Sequence, residues 1–212
     1  MSRPPIGWGR EAGVSRAHWD ERYGTAELIW KADPNRFLVE ELEGLAPGRA
    51  LDIACGEGRN AIWLASMGWE VTGVDFSAVG LAKARRHAAE RGLRATWIEA
   101  DVVGWQPPPA AFDAVVVMYL HLPPEPRRAV LEHASDALAP GGVLLVVGHD
   151  LSNLSEGTGG PQDPDVLYAH EDIVSCLPGL SVERAERVTR WVVTETGDAK
   201  AFDALVRAVR RA

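Results

Sequence analysis

Ala50-Leu51-Asp52-Ile53-Ala54-Cys55-Gly56-Glu57-Gly58-Arg59-Asn60 runs from an apolar strand into a glycine-bearing turn that opens a helix. Gly56 and Gly58 stand where the chain leaves the strand and starts the helix, and a missing Cβ there lets the backbone approach a ligand closely. With 21 glycines in 212 residues, one Gly-x-Gly arises easily by chance, so the weight falls on the context. Asp52 lies near the strand's carboxyl end. A second strand, Glu70-Val71-Thr72-Gly73-Val74-Asp75, closes on another acid 19 residues beyond Gly56. That is the spacing at which a carboxylate meets a ribose diol. The stretch therefore reads as the turn of a nucleotide-type cofactor site at the edge of an α/β sheet.

The composition agrees with one enzyme-sized domain. The chain is 46% hydrophobic and 25% charged, enough to bury a core. A formal net charge of −8 argues against tight, nonspecific binding to nucleic acid or to an anionic membrane, both of which need clustered Lys and Arg. The opening Met1-Ser2-Arg3-Pro4-Pro5 lacks the apolar core of a secretion signal, and no later apolar run approaches the ~20 residues that span a bilayer. A cytoplasmic protein is expected. Two cysteines, Cys55 and Cys176, are too few for a disulfide framework or a cysteine-rich zinc site. Cys55 reads as a small residue of the turn, since no histidine is near it in sequence to activate a thiol nucleophile.

Outward from the turn, strands and helices alternate. Asn60 to Met67 forms a helical stripe stopped at Gly68. Ser77 caps a helix to about Arg91. Ala95 to Ala100 and Phe112 to Met118 read as strands, the second an almost unbroken β-branched run, as in a strand covered on both faces. Pro123 and Pro124 open a helix to about Ala139, which Pro140-Gly141-Gly142 ends before a strand over Val143 to Gly148. Such units predict a doubly wound α/β fold with a mostly parallel seven-stranded sheet and helices on both faces. Ser152 to Asp165 is a candidate lid, and Glu171 to Leu177 a short helix. Val182 to Thr194 and Ala201 to Val209, joined through Glu195-Thr196-Gly197-Asp198, form a closing antiparallel hairpin. Residues 1–36 read as an N-terminal helical segment over the site, with residues 37–212 as the cofactor-binding domain. Trp19, Tyr23 and Trp30 of that segment are either core aromatics or a cover on the cofactor. Ligands bind beyond the strands' carboxyl ends, where Asp52, Asp75, Asp101, Met118 to His121 and His149-Asp150 collect.

Taken together, these motifs resemble the class I, seven-stranded S-adenosylmethionine-dependent methyltransferases. Leu51 to Gly58 is similar to that family's first motif, an acid followed by three spaced glycines, with Ala54 in place of the first glycine. Asp75 matches the acid at the ribose, Asp101 with Val102 the pair at the adenine, and Met118 to His121 the segment beside the reactive methyl. Trp19 to Tyr23, Gly58 to Ala65 and Gly68-Trp69 resemble most the small bacterial methyltransferases of the tellurite-resistance and thiopurine type. The resemblance implies S-adenosylmethionine as cofactor, held by Tyr23, Trp30, Asp52, Ala54, Cys55, Gly56, Gly58, Asn60, Asp75, Phe76, Asp101, Val102 and Met118.

Methyl transfer from a sulfonium is an in-line displacement that the protein assists by positioning, and by removing a proton where the nucleophile needs it. A hydroxyl acceptor needs a base, whereas a thiolate, selenide or neutral amine needs one far less. His121 and His149, at the ends of neighbouring strands, are the candidate catalytic bases, with Asp150 to orient an imidazole. The bland alternatives are that His121 caps a loop and His149 satisfies a carbonyl. His149, Asp150, His170 and Glu171 also supply the pieces of a site for a divalent cation such as Mg. The expected activity is methylation of a small-molecule hydroxyl, such as a sugar or other metabolite. The alternatives are S-, Se/Te- or N-methylation by proximity alone, and a non-catalytic S-adenosylmethionine-binding regulator. A nicotinamide dehydrogenase would share the ribose-binding acid. Base methylation in nucleic acid is disfavoured because Tyr119-Leu120-His121-Leu122-Pro123-Pro124 lacks the Asn or Asp before Pro-Pro-aromatic that such enzymes use.

Overall fold

The computed structural model describes residues 15–25, 28, 32–194 and 197–211. Trp30, expected to cover the cofactor, lies outside the described residues. Seven strands form one sheet: β1 Arg49–Ile53, β2 Glu70–Asp75, β3 Thr96–Glu99, β4 Phe112–Met118, β5 Leu138–His149, β6 Leu180–Thr194 and β7 Gly197–Arg210. Their order is β3-β2-β1-β4-β5-β7-β6, parallel from β1 to β5, with β7 antiparallel to both β5 and β6. This is the mostly parallel sheet with a closing antiparallel hairpin that the repeat pattern predicts.

The β-branched runs are continuous because both faces of the sheet are covered. Alternate side chains of one strand enter different cores. Val115 and Val117 join Leu144 and Val146 on one face, while Ala114 and Val116 join Leu145 and Val147 on the other. Helices α3 Arg59–Ser66, α4 Ala78–Glu90 and α5 Pro124–Ala137 follow β1, β2 and β4, preceded in the chain by α1 Arg16–Thr25 and α2 Arg36–Leu42. Ser77 caps α4 as expected, its side chain accepting a 3.0 Å bond from the Gly80 amide.

Two boundaries differ from the sequence expectation. The helix after Pro123 ends at Ala137, and Pro140-Gly141-Gly142 lies inside β5 as an irregularity. Gly141 takes φ 79°, the register against β4 shifts between Phe112 and Ala114, and a Cβ on Gly142 would meet two carbonyl oxygens at 2.9 Å. The loop read as a candidate lid, Ser152 to Asp165, holds a helical turn, α6 Asn153–Glu156, and runs into a 3-10 turn, Pro164–Val166, before α7 His170–Val174.

The hairpin sets one wall of the site. β5 pairs with β7 only from Val143↔Val209 to His149↔Asp203, while β6 and β7 continue pairing to Thr194↔Gly197. The far half of the hairpin therefore extends past the carboxyl end of β5, where Arg190 and Val192 line a cleft.

Candidate active site

The cleft lies along the carboxyl ends of β1, β2, β4 and β5. At about 1560 Å³ it exceeds the roughly 300–1,000 Å³ of a single small-molecule pocket, so it has room for a cofactor and an acceptor side by side. Of the residues expected to hold the cofactor, Tyr23, Ala54, Cys55, Gly56 and Asn60 line it. So do Asp75, Phe76, Asp101, Val102 and Met118, while Asp52 and Gly58 stand behind it.

The turn is built from left-handed backbone, with Ala54 at φ 58°, Gly56 at 53° and Gly58 at 78°. Ala54 pays the steric cost that glycine avoids there. A Cβ on Gly56 would fall 2.6 Å from the Tyr23 hydroxyl oxygen. One on Gly58 would fall 2.8 Å from Ala84 Cβ and 2.7 Å from the Trp97 ring, so Gly58 is required by helix-on-sheet packing. Asp75 holds the turn by accepting from the Gly56 and Ser77 amides, both at 2.8 Å. Burial is the main influence on its carboxyl and raises its pKa.

Asp52 is buried, with Oδ2 accepting from the Ala61 amide at 3.0 Å and Oδ1 without a partner. Burial pushes its pKa up to about 7, opposed by the Ala61 bond and reinforced by the Asp75 charge. Burial also pushes the Cys55 thiol up, away from the thiolate a nucleophile needs. Asn60 accepts a 2.9 Å bond from the Asn35 amide and so ties α3 to the start of α2. A narrow glycine cradle and acids along the edge, Asp75 and Asp101 among the lining residues, fit a nucleoside with an amino-acid tail.

A second cluster centres on Asp203, a fully buried carboxylate on β7. Its Oδ2 accepts from the Tyr119 hydroxyl at 2.8 Å and from Arg190 Nε at 2.6 Å. Its Oδ1 lies 3.3 Å from His149 Nδ1, an ion-pair distance whose alignment leaves both atoms without a well-formed hydrogen bond. Burial would raise the Asp203 pKa, but contacts from His149, Arg190 and Tyr119 outweigh it and hold the carboxyl below its usual range. Tyr119, at the end of β4, takes φ 57°, a strained setting for an aromatic residue. A Cβ on Gly160 would fall 2.6 Å from the His149 ring, so the lid can lie over that ring only because residue 160 is glycine.

His121 and His149 stack with ring centroids 5.2 Å apart. The His149 amide donates to His121 Nε2 at 3.1 Å, which makes that nitrogen an acceptor and the ring neutral. Burial pulls the His121 pKa down to about 3, assisted by the neighbouring His149. The two candidate bases therefore differ, with His121 fixing the end of β5 and His149 facing Asp203.

Residues 50–142 match the family model described as a methyltransferase domain. A chain solved in a study of the conversion of a disulfide bond into a thioacetal group during echinomycin biosynthesis superposes with TM-score 0.71 at 25% identity, covering 92% of both chains. Residues 50–142 thus carry the sequence of a methyltransferase domain. TehB from Haemophilus influenzae shares its fold, with TM-score 0.70 at 17% identity over 92% of this chain and 67% of that one. The demethylmenaquinone methyltransferase of Thermus thermophilus is 37% identical over 124 residues, 58% of this chain and 54% of the relative. The ubiquinone biosynthesis O-methyltransferase of Idiomarina loihiensis is 33% identical over 134 residues, 61% and 54% of the two chains. The chain thus spans about half the length of these curated relatives.

Asp150 does not orient His149. Its Oδ1 accepts from the Ser152 amide at 2.9 Å and hydroxyl at 2.6 Å, capping the start of the lid. The carboxylate that faces the His149 ring is Asp203, with Oδ1 3.3 Å from Nδ1. One signal in the sequence could have found it, a lone acid in the apolar run Ala201 to Val206. The divalent-cation site expected from His149, Asp150, His170 and Glu171 is not assembled. Among the described residues no three His, Cys, Asp or Glu side chains form a metal-holding group. Asp150 is committed to Ser152, His149 to Asp203, and His170 Nε2 lies 3.2 Å from Glu171. No helix among the described residues is long and apolar enough to cross a membrane.

Proposed function

We propose that this protein transfers the methyl group of S-adenosylmethionine to a hydroxyl oxygen of a small-molecule acceptor, with His149 taking the proton. The observation that carries this reading is the His149–Asp203 contact at the cleft wall. S-adenosylmethionine, when bound, supplies an electrophilic methyl carbon on a sulfonium sulfur. Asp75 and Asp101 would hold its nucleoside, and the Ala54–Gly58 turn would receive its amino-acid end.

The residues around the acceptor divide the remaining work. His149 lines the cleft with Nδ1 as its buried nitrogen. A proton taken at Nε2 leaves an imidazolium whose Nδ1–H faces Asp203, and the 3.3 Å contact then becomes a true ion pair. Tyr119 and Arg190 hold that carboxylate still. The Gly160 segment covers the ring and keeps bulk water from it. An O-methyltransferase among the relatives supports oxygen as the acceptor atom. The net negative charge of the chain supports a small molecule over a nucleic acid.

The test uses tritiated methyl donor against a panel of phenols, hydroxy acids and sugars. Label should appear on a hydroxyl, and His149→Ala should lower kcat by roughly 10²-fold or more while S-adenosylhomocysteine still binds. Full turnover by His149→Ala on the identified hydroxyl substrate would remove the base assignment.

A further inference from the structure

Arg59 opens α3 directly after Gly58, and its half-buried side chain lines the cleft. Among the described residues it makes no hydrogen bond and no ion pair. Several other arginines of this acidic protein are paired: Arg36 with Glu40, Arg184 with Glu41, Arg187 with Glu156, Arg190 with Asp203 and Arg207 with Glu41. Arg59 stays a cation at any physiological pH, and a cation partly withdrawn from water needs an anion or equivalent acceptors.

The groups that bear on Arg59 are Tyr119, Asp52, Arg190 and Tyr23. None of them neutralises it. Asp52 Oδ2 is engaged with the Ala61 amide and its buried Oδ1 makes no hydrogen bond to Arg59, while the two tyrosines are held neutral by burial. Arg190 adds a second positive charge, and its own carboxylate partner, Asp203, is shared with Tyr119 and His149. Burial lowers the pKa of Arg59 most, against the opposing influence of Tyr119 and Asp52 and with a smaller contribution from Arg190. This stretch of the cleft therefore carries an unanswered positive charge. A guanidinium presents two parallel N–H donors that match the two oxygens of a carboxylate.

We infer that Arg59 binds a carboxylate inside the cleft, either the amino-acid carboxylate of the methyl donor or one carried by the acceptor. The first source rests on the function proposed above. It is favoured by position, because Arg59 adjoins the Ala54–Gly58 turn that would receive the donor's amino-acid end.

Calorimetric titration of wild type and Arg59→Met separates the sources, with circular dichroism to verify folding and Arg59→Lys as the charge-conserving variant. The probes are S-adenosylhomocysteine, 5′-methylthioadenosine, which lacks the amino-acid carboxylate, and 3,4-dihydroxybenzoate against catechol at saturating S-adenosylhomocysteine. With the donor as source, Arg59→Met loses at least tenfold in affinity for S-adenosylhomocysteine, keeps its affinity for methylthioadenosine, and is partly restored by lysine. With the acceptor as source, S-adenosylhomocysteine binding is unchanged and dihydroxybenzoate loses at least tenfold relative to catechol. Unchanged affinity for every probe, or equal losses for S-adenosylhomocysteine and methylthioadenosine, overturns the inference and leaves the proposed function standing. A wild-type protein that binds neither S-adenosylhomocysteine nor dihydroxybenzoate overturns both.

Discussion

Asp203 on β7 stands directly opposite His149 on β5 in the antiparallel pairing, with its Oδ1 3.3 Å from His149 Nδ1. The closing hairpin thus delivers an acid to the end of a parallel strand 54 residues earlier in the chain. Asp203→Asn keeps the shape of the carboxylate but removes the charge that an imidazolium would need. It should lower kcat by roughly 10²-fold, within the range a positioned base contributes. The Kd for S-adenosylhomocysteine should stay within about threefold of wild type, since the cofactor turn is on β1. Parallel kinetics and calorimetry on the variant check this.

His121 is expected to behave as a structural residue. Its Nε2 is occupied by the His149 amide, and leaving that buried amide unpaired costs about 1–3 kcal/mol. His121→Ala should lower the Tm by several degrees while reducing kcat far less than His149→Ala does. The low pKa, about 3 against the usual 6.5, also has a stability sign. The unfolded chain binds the proton first, so the contribution is complete above pH 6.5 and is lost as the pH falls toward 3. Replacing His121 by Gln should flatten that part of the acid limb in thermal melts.

Asp52 has the opposite sign. Its folded pKa of about 7 exceeds the ordinary 3.8, so its contribution is fully present below pH 3.8 and is lost as the pH rises through 7. The Tm of ligand-free wild type relative to Asp52→Asn should decline between pH 5 and pH 7 and level off above pH 8. A constant difference across that range would show that the carboxyl titrates normally.

The turn supplies a pair of contrary substitutions. Ala54→Gly relieves a left-handed alanine at φ 58° and should stabilise the protein by about 0.5–1 kcal/mol after the entropy cost of glycine. Gly58→Ala adds both that strain and contacts of 2.7–2.8 Å to Trp97 and Ala84, and should destabilise by about 2 kcal/mol or more. Thermal or denaturant unfolding of both variants measures the difference.

These positions show which features a local reading can reach. The parallel strands were legible because a sheet covered on both faces imposes an apolar run on each strand, as in Phe112 to Met118. The cofactor turn was legible because its chemistry lies in consecutive residues with a fixed step to Asp75. The orienting acid was misplaced onto Asp150 because adjacency in sequence stood in for adjacency across strands. Asp203 reaches His149 only through the β5–β7 register, which no spacing along the chain encodes. The metal grouping is not assembled for a related reason, since Asp150 accepts from Ser152 and His149 faces Asp203 across the β5–β7 register. Tyr119 was legible only as part of the Met118 to His121 segment, because its left-handed backbone is a property of the folded strand end.

The most direct test of the cofactor assignment is calorimetric titration of the wild-type protein with S-adenosylhomocysteine and, separately, with NAD. The expected result is saturable one-to-one binding of S-adenosylhomocysteine and no measurable heat from NAD. Saturable binding of NAD with none of S-adenosylhomocysteine would contradict it.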